Sequence, residues 1–158
     1  MYVTAEGLAR KQGEFREIME VKLPKNFADI GRAAAFGDLS ENAEYTSALE
    51  ERDHLTRRAS SIKSELDKAK VIDPGRCQDG VVGLGSVIRL RNEQTGEEVD
   101  YKLLGPWDGG PEDGVLSYKS PLGRAFLGKS VGEVVEAQLP SGPQVFKVID
   151  ARVPPPPA

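Results

Sequence analysis

Residues 37–45, read GDLSENAEY, bring three carboxylates into nine positions: Asp38, Glu41 and Glu44. Ser40, Asn42 and Tyr45 stand among them as hydrogen-bonding neighbours. Carboxylate oxygens are hard ligands, suited to a cation such as Mg²⁺ or to the free amides at a helix start. Two readings follow. In the first, Asp38 caps a helix and Glu41, three residues on, reaches back to the Asp38 N–H in a capping box. In the second, the same spacing sets Asp38 and Glu41 on one side of a helix start, where they can share a cation. Mg²⁺ takes six oxygens and keeps several waters, so two carboxylates make a site that another molecule must complete. Glu44, one turn further, either assists or is simply solvated. The readings are compatible, because a capping carboxylate keeps a free oxygen.

The elements that must position these acids are helices. Thr4 is a candidate N-cap, with Gly7 an imperfect third position. Apolar residues then recur at Leu8, Phe15, Met19, Leu23, Phe27, Ile30 and Ala34, close to helical spacing. Pro24 should kink or split this helix, since it lacks an N–H. Ala33-Ala34-Ala35 favours helix, and Gly37 suits a left-handed C-terminal cap. In the second helix Tyr45, Ala48, Arg52, Leu55, Ala59, Ile62, Leu66 and Ala69 step by three and four, a heptad seam interrupted only by Arg52. Pro74-Gly75 stops it. Two helices of about 30 residues joined by a short turn run antiparallel and extend roughly 45 Å.

Beyond Pro74 the period changes to that of strands, at residues 87–90, 98–103, 115–118, 133–139 and 145–153, between Gly-, Pro- and Asp-rich turns. Ser120 and Pro121 open a short helix that Gly128 ends. The expected fold is α+β: an antiparallel coiled-coil hairpin over residues 1–75 with its acidic tip at 37–45, a linker at 76–80, an antiparallel-sheet domain with one short helix at 81–153, and a Pro-rich tail at 154–158.

Composition narrows the function classes. The 158 residues carry a formal charge of -4, and 6% are aromatic. Acidity argues against bulk nucleic-acid binding, which depends on Lys and Arg. Cys77 is the single cysteine, so no internal disulfide scaffold exists. No stretch approaches the roughly 18 apolar residues of a membrane span, and the start of the chain lacks a basic-then-apolar leader, which points to the cytoplasm. His54 has no second histidine or cysteine at ligand spacing, and no Gly-rich phosphate loop is present.

The run GDLSENAEY between two long helices, Val71-Ile72-Asp73 after the second, and Ser120-Pro121-Leu122-Gly123-Arg124-Ala125-Phe126-Leu127-Gly128-Lys129 followed by Gly132-Glu133-Val134-Val135 occur in the order found in one family. In these stretches the chain resembles the bacterial transcript-cleavage factors of the GreA/GreB family, its GreA branch most of all, over about residues 4 to 153. That resemblance implies an FK506-binding-protein-like second domain that docks on bacterial RNA polymerase. It implies a hairpin that passes down the secondary channel, and tip acids that hold the second Mg²⁺ of the polymerase active site while backtracked RNA is cut at its 3′ end. By position in the motif, Asp38 and Glu41 carry the metal role. Glu44 supports them, Ser40 and Asn42 orient the tip, and Tyr45 sits beside RNA or polymerase. The factor would then be no enzyme by itself, with Mg²⁺ shared only in the complex, and would act as a monomer.

Arg52, Arg57 and Arg58 are the candidates for an RNA-facing basic surface, with Lys63 beyond them. The alternative for Arg57 and Arg58 is a solvated face paired with Glu50 or Asp53. Arg52 falls on the apolar seam and must snorkel. So small a basic set points to short backtracked fragments. Two rival readings remain: a channel binder that inhibits without cleaving, and a prolyl isomerase, for which fold analogy would be the sole support. Trp107, in the loop from Gly105 to Gly110, either packs on the sheet or meets a partner.

Overall fold

Apolar residues at three–four spacing build the longest element, α3 (Ala43–Lys68). In a computed structural model, which describes residues 1–37 and 41–154, the seam expected from spacing is its inward face. Leu55, Ala59 and Ile62 are buried, and Tyr45, Ala48, Arg52, Leu66 and Ala69 are half-buried. The Arg52 guanidinium turns outward to Asp53 at 3.3 Å, so the charge on the seam snorkels.

The first helical stretch comprises α1 (Ala5–Glu17), a π-helical turn (Ile18–Lys22) and α2 (Leu23–Ala34). Thr4 caps α1, its Oγ1 accepting from the Gly7 N–H at 3.0 Å. Pro24 does not break the helix sharply. The Leu23 N–H instead donates to the Ile18 carbonyl five residues back, and Pro24 falls in the first turn of α2. There its missing N–H costs nothing. The wide turn also changes which side chains face inward. Ile18, Leu23, Asn26 and Ala33 are buried, whereas Met19 and Phe27, expected on the seam, are 47% and 56% exposed. Pairs Glu14–Arg58, Asn26–Ala48 and Ala33–Asn42 show the two stretches to be antiparallel, as expected. Ile18, Leu23, Leu55, Ala59 and Ile62, flanked by Phe15 and Leu66, form the apolar core of this unit.

Packing divides the chain into two compact units. Residues 8–69 make one compact unit, and residues 1–7 join the chain from Lys70 onward in the other. The reason is a short parallel pair that spacing does not reveal. β1 (Tyr2–Val3) runs beside β2 (Lys70–Val71), with Tyr2 opposite Lys70 and Val3 opposite Val71. Asp108 secures this pair. Its carboxylate accepts from the Thr4 N–H at 3.0 Å, from the Thr4 hydroxyl, and from the Gly105 N–H at 2.8 Å. A Cβ at residue 7 would collide with that carboxylate, so Gly7 is a close-approach glycine.

The second unit holds a five-stranded sheet in the order β5-β4-β3-β7-β6, where β3 is Val87–Asn92, β4 Glu98–Leu104, β5 Val115–Ser117, β6 Val134–Leu139 and β7 Gly142–Arg152. The class is α+β as expected, but the sheet is mixed: β4 and β5 are parallel, and the other pairs antiparallel. The short α-helix α4 (Pro121–Phe126) is capped by Ser120, whose Oγ accepts from the Gly123 N–H at 3.0 Å. Its Phe126 is fully buried with Val82, Ile88, Leu90, Leu103, Leu116, Val148 and Ala151, and meets Phe146 edge-on at 6.0 Å. Trp107 is half-buried in its loop. Cys77 is a free thiol whose Sγ donates to the Leu84 carbonyl at 2.8 Å. Among the described residues no helix is long and apolar enough to cross a membrane.

Candidate functional site

The turn between α2 and α3 is built from both sides. At the end of α2 the helix tightens: the Ala35 N–H donates to the Arg32 carbonyl and the Phe36 N–H to the Ala33 carbonyl, each at 3.2 Å. Gly37 then takes φ +116°, a conformation that a side chain would strain, which is the glycine stop read from the sequence. Asp38 and Ser40 lie outside the described residues.

On the α3 side the structure corrects the capping box. The helix begins at Ala43, and its N-cap is Asn42, extended at φ −89°, ψ 102°. Asn42 Oδ1 accepts from the Tyr45 N–H at 3.1 Å, three residues on. The capping-box pairing of Asp38 with Glu41 placed the helix start four residues too early. Asn serves at an N-cap as well as Asp does, so residue type alone could not choose between them. Asn42 does more than cap. Its Nδ2 donates to the Ala33 carbonyl at 2.8 Å. One side chain thus gives the Ala33 carbonyl of α2 a second donor beside the Phe36 N–H and satisfies an otherwise free amide of α3.

Glu41 therefore stands just before the helix, and Glu44 in its first turn, where negative charge is favoured. Both are exposed. Among the described residues neither carboxylate is engaged in a hydrogen bond or ion pair. They border an open depression of ≈ 550 Å³ together with Phe36, Asn42 and Ala43. Phe36 is 78% exposed, which the sequence reading did not single out. Tyr45 is half-buried.

No cluster of three or more acidic, histidine or cysteine side chains able to hold a metal exists among the described residues. The donors at the turn are hard carboxylate oxygens, the right chemistry for Mg²⁺ but too few to enclose it. They fit the ion as a partial ligand set.

The basic candidates separate. Arg58 is held by Glu14 across the helices, its Nε and one terminal nitrogen donating to Oε1 at 3.0 and 2.7 Å. It pairs with neither Glu50 nor Asp53. The Arg58 guanidinium, aided by Lys11 at 3.2 Å, holds the Glu14 carboxyl below the usual glutamate range, against the opposing effect of partial burial. Arg52 is paired with Asp53. Arg57 is exposed and has no partner among the described residues. His54 is exposed. Asn26, which the apolar spacing had passed over, is 4% exposed, and its Nδ2 donates to the Ala48 carbonyl at 3.0 Å.

Residues 1–71 match the N-terminal domain model of transcription elongation factors GreA/GreB, and residues 77–152 match the C-terminal one. The transcription elongation factor GreA of Treponema pallidum (strain Nichols) is 38% identical over 149 residues, 94% of this chain and 92% of the relative. That of Clostridioides difficile (strain 630) is 35% identical over 150 residues, 95% and 94% of the two chains. The crystal structure of the GreA factor homolog 1 protein of Thermus thermophilus covers 96% of this chain and 98% of its own, at 24% identity and a TM-score of 0.43, an overlap too loose to bear on function. Since both family models match in order and these relatives align over more than nine-tenths of each chain, the chain belongs to the GreA/GreB family of transcription elongation factors.

Proposed function

We propose that this chain enters the secondary channel of a bacterial RNA polymerase, as a monomer in the cytoplasm, and stimulates the polymerase's own cleavage of backtracked nascent RNA. The observation that carries this reading is the cap. Asn42, not an acid, caps α3, and Glu41 just ahead of it is exposed. Asp38 and Glu41 would hold Mg²⁺ jointly with polymerase groups. When bound, the ion supplies Lewis-acid stabilisation of an in-line phosphoryl displacement.

The chain's own part is placement. Asn42 fastens the last turn of α2 to the first turn of α3, so Glu41 is carried on two helices at once. Glu44 adds negative potential one turn away. A partial ligand set needs a partner to be completed, so the chain alone hydrolyses nothing and activity ends when it leaves. Catalytic geometry that tolerates less than an ångström of error requires such a rigid mount.

The test is RNA cleavage in a backtracked bacterial elongation complex with Mg²⁺, comparing the natural chain with Asp38→Ala and Glu41→Ala while polymerase binding is measured in parallel. Cleavage that both variants lose with binding intact is the expected result. Binding without cleavage by the natural chain would replace this reading with that of a channel inhibitor.

A further inference from the structure

Among the described residues, the part of the helical unit nearest the turn holds no cluster of fully buried apolar side chains. The buried apolar cluster consists of Ile18, Leu23, Leu55, Ala59 and Ile62. Toward the turn, α2 buries Asn26 and Ala33 and half-buries Ile30, opposite a stretch of α3 whose half-buried residues are Tyr45, Ala48, Leu49 and Arg52. Ala33 is the one fully buried apolar side chain described there, and Ile30 and Leu49 are only half-buried, so packing discriminates less between one alignment of the helices and another than it does in the cluster. Asn26 is a different kind of contact. It is 4% exposed, its Nδ2 donates to the Ala48 carbonyl at 3.0 Å, and its Oδ1 is buried with no hydrogen-bond partner.

An unpaired buried carbonyl oxygen is costly, and an apolar side chain of similar volume would avoid that cost. The amide is thus poor for stability at this position, while its directional bond is specific. A buried Asn in a helical seam characteristically fixes register at the expense of stability. The specificity here has a visible source. To reach a backbone carbonyl of α3, the amide must approach where no side chain intervenes. Ala48 is the small residue on the inward face of this stretch, flanked one turn away by Tyr45 and Arg52. A slip of one turn, about 5.4 Å, sets Asn26 against one of those bulky side chains. Its donor is then buried unpaired beside its already unpaired acceptor.

We infer that Asn26 is a positioning residue, fixing the register of α2 against α3 at Ala48 and thereby the placement of the acids at the turn. The consequence for cleavage rests on the function proposed above; the register itself does not. The experiment places nitroxide labels at Lys25→Cys and Glu50→Cys in a Cys77→Ser background, and measures their distance distribution with Asn26, Asn26→Leu or Asn26→Ala. Thermal melting, and cleavage at saturating factor, are followed on the unlabelled chains.

Asn26 should give one narrow distance. Both variants should add a second population displaced by about one turn. Asn26→Leu should melt no lower than the natural chain, which a purely structural contact would not allow. Its saturating cleavage rate should fall at least about tenfold at unchanged polymerase binding, because misplacement of an ångström is already costly. A single unshifted distance in both variants overturns the inference, whatever their stability. Shifted distances with full cleavage overturn the positioning role. If the natural chain does not cleave at all, the proposed function fails, and the distances still decide the register.

Discussion

The two parts of the helical unit hold together by different means. Away from the turn, Ile18, Leu23, Leu55, Ala59 and Ile62 exclude water from one another, and a fully buried side chain of this kind contributes about 1.5–3 kcal/mol. Near the turn, the helices are joined by Asn26 to the Ala48 carbonyl and Asn42 to the Ala33 carbonyl, and such bonds contribute about 0.5–1.5 kcal/mol each. Apolar contact is strong and non-directional. Hydrogen bonds from two asparagines are weak and directional. The division is sensible if one part supplies stability and the other geometry.

Ile62→Ala tests the first half of that contrast. Ile62 is 1% exposed, so its truncation should cost about 2–5 kcal/mol in urea unfolding. Cleavage per folded molecule should be unchanged. A cost below about 1 kcal/mol would show that the apolar cluster does not dominate.

Asn42→Ala probes the other half. It removes a cap and a cross-helix bond, and should destabilise by about 1–2 kcal/mol. The loss should appear first as faster hydrogen exchange at the Tyr45 amide, with cleavage falling more steeply than stability. Asn42→Asp keeps an acceptor for that amide and loses the donor to Ala33, so it should retain Tyr45 protection yet still impair cleavage. Equal loss of protection in both variants would mean that the cap depends on the Ala33 bond.

A smaller effect concerns pH. Arg58 holds the Glu14 carboxyl low, so folding favours its ionised form. That contribution is fully present above the ordinary glutamate range and is lost as pH falls through the lowered folded value. For a pair this exposed it amounts to about 0–1 kcal/mol. Arg58→Ala should therefore lower stability slightly at neutral pH, and the gap should close in acid. The same sign applies to Asp100 in the sheet, held low by Arg89 at 2.7 Å. A gap that widens in acid would contradict the assignment.

The smallest change is expected for Phe36→Ala. A side chain 78% exposed should alter folding stability by no more than about 0.5 kcal/mol. A larger loss by thermal melting would show that Phe36 helps hold the turn, and the contrast between the two halves would need revision.

Much of this arrangement is legible from short-range patterns. The inward face of α3 follows from three–four spacing along one helix, the stop of α2 from Gly37, and the cap of α4 from Ser120 ahead of Pro121. Each depends on residues within a turn or two, where sequence distance and spatial distance agree. The five main-sheet strands were likewise visible as elements, with ends shifted by up to three residues. The acids at the turn were legible as a cluster, but their local role was not. Asp38 and Asn42 are equivalent as caps on residue type, and only the observed start of α3 at Ala43 distinguishes them.

What tertiary structure decided lies in contacts between distant residues. The parallel pairing of β4 with β5 and of β1 with β2 joins segments whose own patterns carry no orientation. The inward turn of Asn26 in place of Phe27 depends on the wide turn ahead of Pro24. Gly7 reads as an irregularity until the Asp108 carboxylate is seen against it. Periodicity is written into the chain because side chains on one element repeat in space. The choice of partner is not, because it is settled by which surfaces fill and which polar groups are satisfied once the elements meet.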